Sequence, residues 1–79
     1  MTLTLLSNGS LVASGSEDGT IKIWNIDTNC LVKTLYGHTN KVRCLEVLEN
    51  DNYLASGSDD TTILIWNIDF GLRIFFLIF

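Results

Sequence analysis

His38 is the only histidine of the chain, and Ser14 and Ser56 each stand in a Ser-Gly-Ser run that leads into two carboxylates, Glu17-Asp18 and Asp59-Asp60. These are the residue types of nucleophilic, acid-base and metal chemistry, so their spacing decides what is available. A serine nucleophile of the Gly-x-Ser-x-Gly kind needs that order on a strand-to-helix elbow, and neither run has it. Strand hydroxyls are the expectation. The run SGSEDG is no phosphate cradle either, because no Lys-Ser/Thr and no helix follow it. Adjacent carboxylates in a turn point apart, so a shared-proton dyad or a calcium loop is not expected. A metal needs several ligands and a nucleophile needs an oriented base, and no second group stands at a meaningful spacing from His38. Cys30 and Cys44 lack any CxxC or His-rich zinc spacing and read as small buried apolar residues. No catalytic, cofactor-binding or metal-binding residue is assigned, and no enzyme is expected.

The elements that must position these side chains are strands. Residues 12–27, VASGSEDGTIKIWNID, return 42 positions later as residues 54–69, LASGSDDTTILIWNID, with twelve of the sixteen positions identical. A repeat of this length takes precedence over any other reading of the pattern. Apolar residues alternate at period two and β-branched residues are plentiful, whereas no stretch has helical spacing. Strands are expected at 2–6, 11–16, 20–26, 30–36, 42–48, 53–58, 62–68 and about 72–78. Tight polar turns join them, with Gly19 suited to positive φ in the first unit and Thr61 in its place in the second. The outcome is two four-stranded antiparallel meanders, each apolar on both faces: Ile21, Ile23 and Leu35 on one side of the first, Trp24 and Leu31 on the other. Each therefore needs a neighbour on either side.

Composition bounds the partners. The 79 residues carry a formal net charge of -4, and Lys22, Lys33, Lys41, Arg43 and Arg73 are scattered without aromatic interleaving. Nucleic acid, which needs a concentrated positive footprint, is not expected as a partner. The N-terminal segment has no basic region ahead of an apolar run. The apolar stretch GLRIFFLIF is about half the roughly twenty residues that a membrane helix requires, so no membrane span is expected. Two cysteines without a disulfide pattern suit a reduced intracellular compartment, cytoplasmic or nuclear.

Four motifs arrive in a fixed order: Gly37-His38, then Val42-Arg43-Cys44-Leu45, then Leu54 to Asp60, then Thr62 to Asn67 ending in Trp66-Asn67. With four strands per 42 residues, this resembles the WD40 repeat of β-propellers. The resemblance runs from residue 2 to residue 69. It implies an all-β fold of two four-stranded antiparallel blades of an incomplete β-propeller. It divides the chain into a first repeat at 1–36, truncated at its N-terminus, a second at 37–69, and an off-pattern apolar tail at 70–79 suited to the last strand of the second blade. It also implies a hydrogen-bonded set in which His38 lies between Asp60 and Ser56, and Ser56 accepts from the indole N–H of Trp66. The first unit carries Ser14, Asp18 and Trp24 without a Gly-His ahead of them, so its set is expected to be incomplete.

The function implied is a non-enzymatic scaffold for protein–protein interaction that displays loop and edge residues to other proteins or peptides. By motif matching, Lys41, Glu17 and Asp59 lie at the mouth of the propeller, where the family binds partners. Two alternatives accompany this reading. One is a truncated or mispredicted fragment of a larger propeller with no function of its own; the other is a partial propeller completed by self-association or by further blades.

Overall fold

The computed structural model describes residues 2–6, 10–48, 53–67 and 72–78. Among the described residues eight strands follow one another: β1 (Thr2–Leu5), β2 (Leu11–Gly15), β3 (Ile21–Asn25), β4 (Cys30–Leu35), β5 (Val42–Leu48), β6 (Tyr53–Ser58), β7 (Thr62–Asn67) and β8 (Leu72–Ile78). They form two antiparallel sheets in the order β1-β2-β3-β4 and β5-β6-β7-β8. The tail thus supplies the outer strand of the second sheet, with Thr62 opposite Ile78 and Asn67 opposite Leu72. Several strands are one residue shorter than the alternation predicts. Ser16 and Thr20, for example, belong to a turn closed by a bond from the Ser16 N–H to the Thr20 carbonyl at 3.0 Å.

The two sheets pack face to face, and the buried core draws on both. The first contributes Ala13, Ile21, Ile23 and Leu35, and the second Val42, Leu54, Leu64 and Trp66, each under 5% exposed. Ala13 and Gly15 on β2 sit opposite Ile23 and Ile21 on β3, so one face of the hairpin supplies the whole patch. Val42 presses onto that patch where there is no side chain: a Cβ on Gly15 would stand 2.6 Å from Val42 Cγ1. The Val42 N–H also donates to the Ser16 carbonyl at 3.0 Å, which ties the first strand of the second sheet to the turn that follows β2. The opposite face of the first sheet remains in contact with water, with Trp24 36% and Leu31 46% exposed.

Two features depart from simple alternation. A register shift between Val42 and Cys44 makes Arg43 the extra residue of a bulge. Val42, Leu45 and Val47 therefore all face the core, while Cys44 is turned outward. Cys44 and Cys30 are both free and exposed, which corrects their reading as buried apolar residues. Cys30 opens the outer strand β4, where burial is least.

The second feature is the turn between the second and third strands of each sheet. In both sheets the fourth turn residue donates its N–H to the residue three before it, Gly19 to Ser16 and Thr61 to Ser58, both at 3.2 Å. That geometry requires positive φ, 88° at Gly19 and 72° at Thr61. A β-branched residue pays for this conformation with about 1–2 kcal/mol. Replacing Thr61 with Gly is expected to gain roughly 0.5–1 kcal/mol after the added chain entropy of glycine is subtracted, seen as a higher urea midpoint. The reverse change, Gly19→Val, is expected to cost at least ~2 kcal/mol, since its Cβ would also meet the His38 carbonyl oxygen at 2.6 Å.

Candidate functional site

His38 lies in the connection between β4 and β5, and its imidazole enters the second sheet. Nε2 is 2.7 Å from Ser56 Oγ on β6, and Nδ1 is 3.0 Å from Asp60 Oδ2 in the β6–β7 turn. A carboxylate can only accept, so Nδ1 donates to Asp60; in the neutral imidazole Nε2 then accepts from the Ser56 hydroxyl. Ser56 Oγ in turn accepts from Trp66 Nε1 on β7 at 2.8 Å. The result is one directed sequence of donors, from indole to hydroxyl to imidazole to carboxylate. Gly37, just before the histidine, lies against the Trp66 ring, 2.8 Å from it at the position a Cβ would take. Among the described residues no buried side-chain nitrogen or oxygen lacks a partner.

Asp60 holds a negative charge in a nearly closed position, its side chain 6% exposed. Burial alone would raise its pKa. Hydrogen bonds from the Thr62 hydroxyl, the Thr39 N–H, His38 and the Thr62 N–H together outweigh burial and hold the carboxyl far below the usual range. The two N–H bonds measure 2.9 Å each.

Serine, histidine and aspartate in this order have the connectivity of a catalytic triad. The chemistry does not follow from it, because Ser56 is 1% exposed and its oxygen already accepts the indole proton. A nucleophile needs an open side from which to reach a carbonyl. The arrangement instead clamps the incoming loop, two strands and their turn.

The first sheet contains the same residues in a looser state. Trp24 Nε1 donates to Ser14 Oγ at 3.2 Å. Asp18 turns to its own loop, accepting from the Thr20 hydroxyl at 2.6 Å and the Thr20 N–H at 2.9 Å. The Thr20 hydroxyl bond is the main cause of a lowered pKa at this exposed carboxyl. Ser14 and Trp24 are thus brought together, whereas Asp18 is not joined to them.

The charged residues Glu17, Lys41 and Asp59 gather where the two sheets meet. Lys41 Nζ is 3.4 Å from Glu17 Oε2, an ion pair that spans the two sheets. Asp59 is taken by a residue that motif reading passed over: Arg43 grips it with Nε and Nη2, each at 2.8 Å. That two-point bond lowers the Asp59 pKa and raises that of Arg43. A hairpin register with Leu48 opposite Tyr53 brings Arg43 beside Asp59, so cross-strand charge pairing was the signal available for it. Glu17, Lys41, Val42 and Arg43 line a shallow cleft at this rim.

A model of the family described as WD domain, G-beta repeat matches residues 1–25 and 29–67, which takes in both repeated units. The chain belongs to the WD40 family. Its two sheets are two blades of an incomplete β-propeller, and the solved structures it resembles are propellers. It aligns with the Cps50 (Swd1) β-propeller domain of Myceliophteria thermophila at a TM-score of 0.94 and 27% identity, covering 99% of this chain and 25% of that one. The RRP9 WD40 repeats align at a TM-score of 0.91 and 26% identity, over 99% of this chain and 24% of that one. By sequence it is 55% identical over 38 residues to nuclear distribution protein PAC1-2 of Uncinocarpus reesii, 48% of this chain and 8% of that protein. It is 49% identical over 37 residues to human WD repeat-containing protein 86, 47% of this chain and 10% of that protein. The match thus spans a tenth or less of these curated relatives. WD40 repeats usually build protein-interaction scaffolds and are generally not enzymes.

The clamp of the second blade makes two predictions. Trp66→Phe keeps most of the ring volume but removes the donor, and is expected to cost about 1–3 kcal/mol of unfolding free energy; Trp24→Phe in the open first blade should cost about 1 kcal/mol or less. Both are read from urea midpoints. For Asp60 the native pKa is depressed, so the unfolded chain takes up a proton first as pH falls. Its contribution is therefore present above the unfolded pKa of about 3.9 and lost progressively below it. Unfolding midpoints between pH 7 and 3 should fall steeply in the wild type below about pH 4 and more shallowly in Asp60→Asn, which starts less stable.

Proposed function

We propose that the two blades act as a rigid, non-enzymatic surface that binds another protein or a peptide at the rim formed by Glu17, Lys41, Arg43 and Asp59. One observation carries this reading. The side chains with catalytic potential, Ser56 and His38, are buried and bonded within the fold, while the rim charges are exposed: side chains at 43% for Lys41, 62% for Arg43 and 73% for Glu17. Exposed ion pairs of this kind contribute little to stability and can exchange partners. An incoming protein that presents both a carboxylate and an ammonium could take over either pair without leaving a charge unmatched. A net charge of -4 continues to favour a protein over nucleic acid. Free, exposed Cys30 and Cys44 suit a reducing cytoplasmic or nuclear setting.

A second reading, that the blades work only inside a larger propeller, draws support from the exposed face of the first blade, where Leu3 is 63% and Leu5 60% exposed.

The test is retention of proteins from a cell extract on the immobilised chain, compared with the double variant Lys41→Glu/Arg43→Glu. A specifically retained protein whose amount drops about tenfold in the variant, with an unchanged circular dichroism spectrum, supports the rim as the binding surface. Equal retention by both excludes the rim. Absence of any specific retention by the wild type selects the larger-propeller reading.

A further inference from the structure

Lys41 and Arg43 flank Val42 at the start of β5, and all three line the rim cleft together with Glu17 of the first blade. The backbone beneath them is already committed. The Val42 N–H donates to the Ser16 carbonyl, the Lys41 carbonyl accepts from the Asp59 N–H, and the Lys41 N–H donates to Asn40 Oδ1. Val42 itself is buried at 4% exposure. The charged side chains are what this cleft has to offer a ligand.

A guanidinium carries five N–H donors and an ammonium three. Arg43 gives Asp59 one donor from Nε and one from Nη2, and Lys41 meets Glu17 through Nζ. The two cations therefore hold more donors than these contacts use. The carboxylates around them are unequally held. Asp60 is buried in the clamp, Asp18 accepts twice from Thr20, and Asp59 is gripped at two points of 2.8 Å. Glu17 makes a single contact of 3.4 Å with its side chain 73% exposed, so it is the rim carboxylate that leaves its cation at least cost.

Given the rim as the binding surface, on which this step rests, we infer that the cleft takes a carboxylate side chain of an acidic peptide segment. That carboxylate replaces Glu17 against Lys41 Nζ and accepts from the Arg43 donors that Asp59 leaves open. Glu17 is then a built-in stand-in for the ligand, present when the cleft is empty and displaced when it fills. The size of the cleft selects a peptide over a free acid. At about 120 Å³ it is smaller than the roughly 300–1,000 Å³ of pockets that enclose a small molecule, so the carboxylate must arrive on a longer chain whose other contacts fall outside. The net charge of -4 supplies no long-range attraction for such a segment, which leaves recognition to the short-range contacts with Lys41 and Arg43.

The test is fluorescence anisotropy of short labelled Gly-Ser peptides that carry Glu, Gln or Lys at the same positions, titrated with the 79-residue chain. The Glu peptide is expected to bind more tightly than the other two. Lys41→Gln and Arg43→Gln should each weaken it about two- to fivefold, and Glu17→Gln should strengthen it by a similar factor, with circular dichroism spectra unchanged. All three positions are exposed, and the gain in Glu17→Gln is a result that a damaged fold does not produce. Preference for the Lys peptide, equal or no binding of the three, or weaker binding by Glu17→Gln overturns the inference. So does free glutarate that binds as tightly as the Glu peptide, since the cleft would then be a small-acid site. If the Glu peptide fails while retention from extract still drops in Lys41→Glu/Arg43→Glu, the acidic ligand is wrong and the rim stands; if both fail, the rim itself is excluded.

Discussion

An indole N–H removed from water and left without an acceptor costs about 1–3 kcal/mol, and Trp66 is 2% exposed. Its acceptor, the Ser56 hydroxyl, is itself buried and needs somewhere to send its own proton. His38 supplies that place and then needs a partner for its second nitrogen, which Asp60 provides. Each group solves the problem of the one before it, until a charge held by backbone N–H groups closes the sequence. The four residues come from a loop, two strands and a turn, so satisfying one buried donor fixes how four segments meet. The backbone at Gly37 can lie against the ring only because it carries no side chain.

The same loop connects this clamp to the joint between blades. The imidazole of His38 belongs to the second blade, while its carbonyl lies against the Gly19 turn of the first. The bond from Val42 to Ser16 follows four residues later. Clamp and joint are therefore two ends of one short segment, and the Lys41–Glu17 pair sits between them at the surface. A rim built this way is held from below by buried bonds.

The repeat made most of the fold legible. Strand alternation and two similar turns placed eight strands to within about a residue, because local polarity and turn geometry alone set those boundaries. The joint was harder to read. Both faces of each blade are apolar, so alternation says which residues share a face but not which face meets its neighbour. The bulge at Arg43 was invisible for a related reason: one inserted residue reverses every later side chain of β5, which put Cys44 outside and Leu45 inside. Arg43 itself was hidden because its partner Asp59 is distant in sequence and close only through the hairpin register.

The outer strands differ from the rest of the repeat. Residues 30–35 read CLVKTL and residues 72–77 read LRIFFL, sharing only the final leucine. Their backbones nevertheless pair identically: Leu35 and Leu77 stand opposite Ile21 and Ile63, Cys30 and Leu72 opposite Asn25 and Asn67, and both ladders shift just before the tryptophan. The edge of the third strand thus dictates where the fourth one lies, whatever its side chains. Sequence change is cheapest at the periphery of a blade, so an outer strand can be rewritten, even into something as apolar as this one, while the inner three keep their pattern and the architecture stays the same.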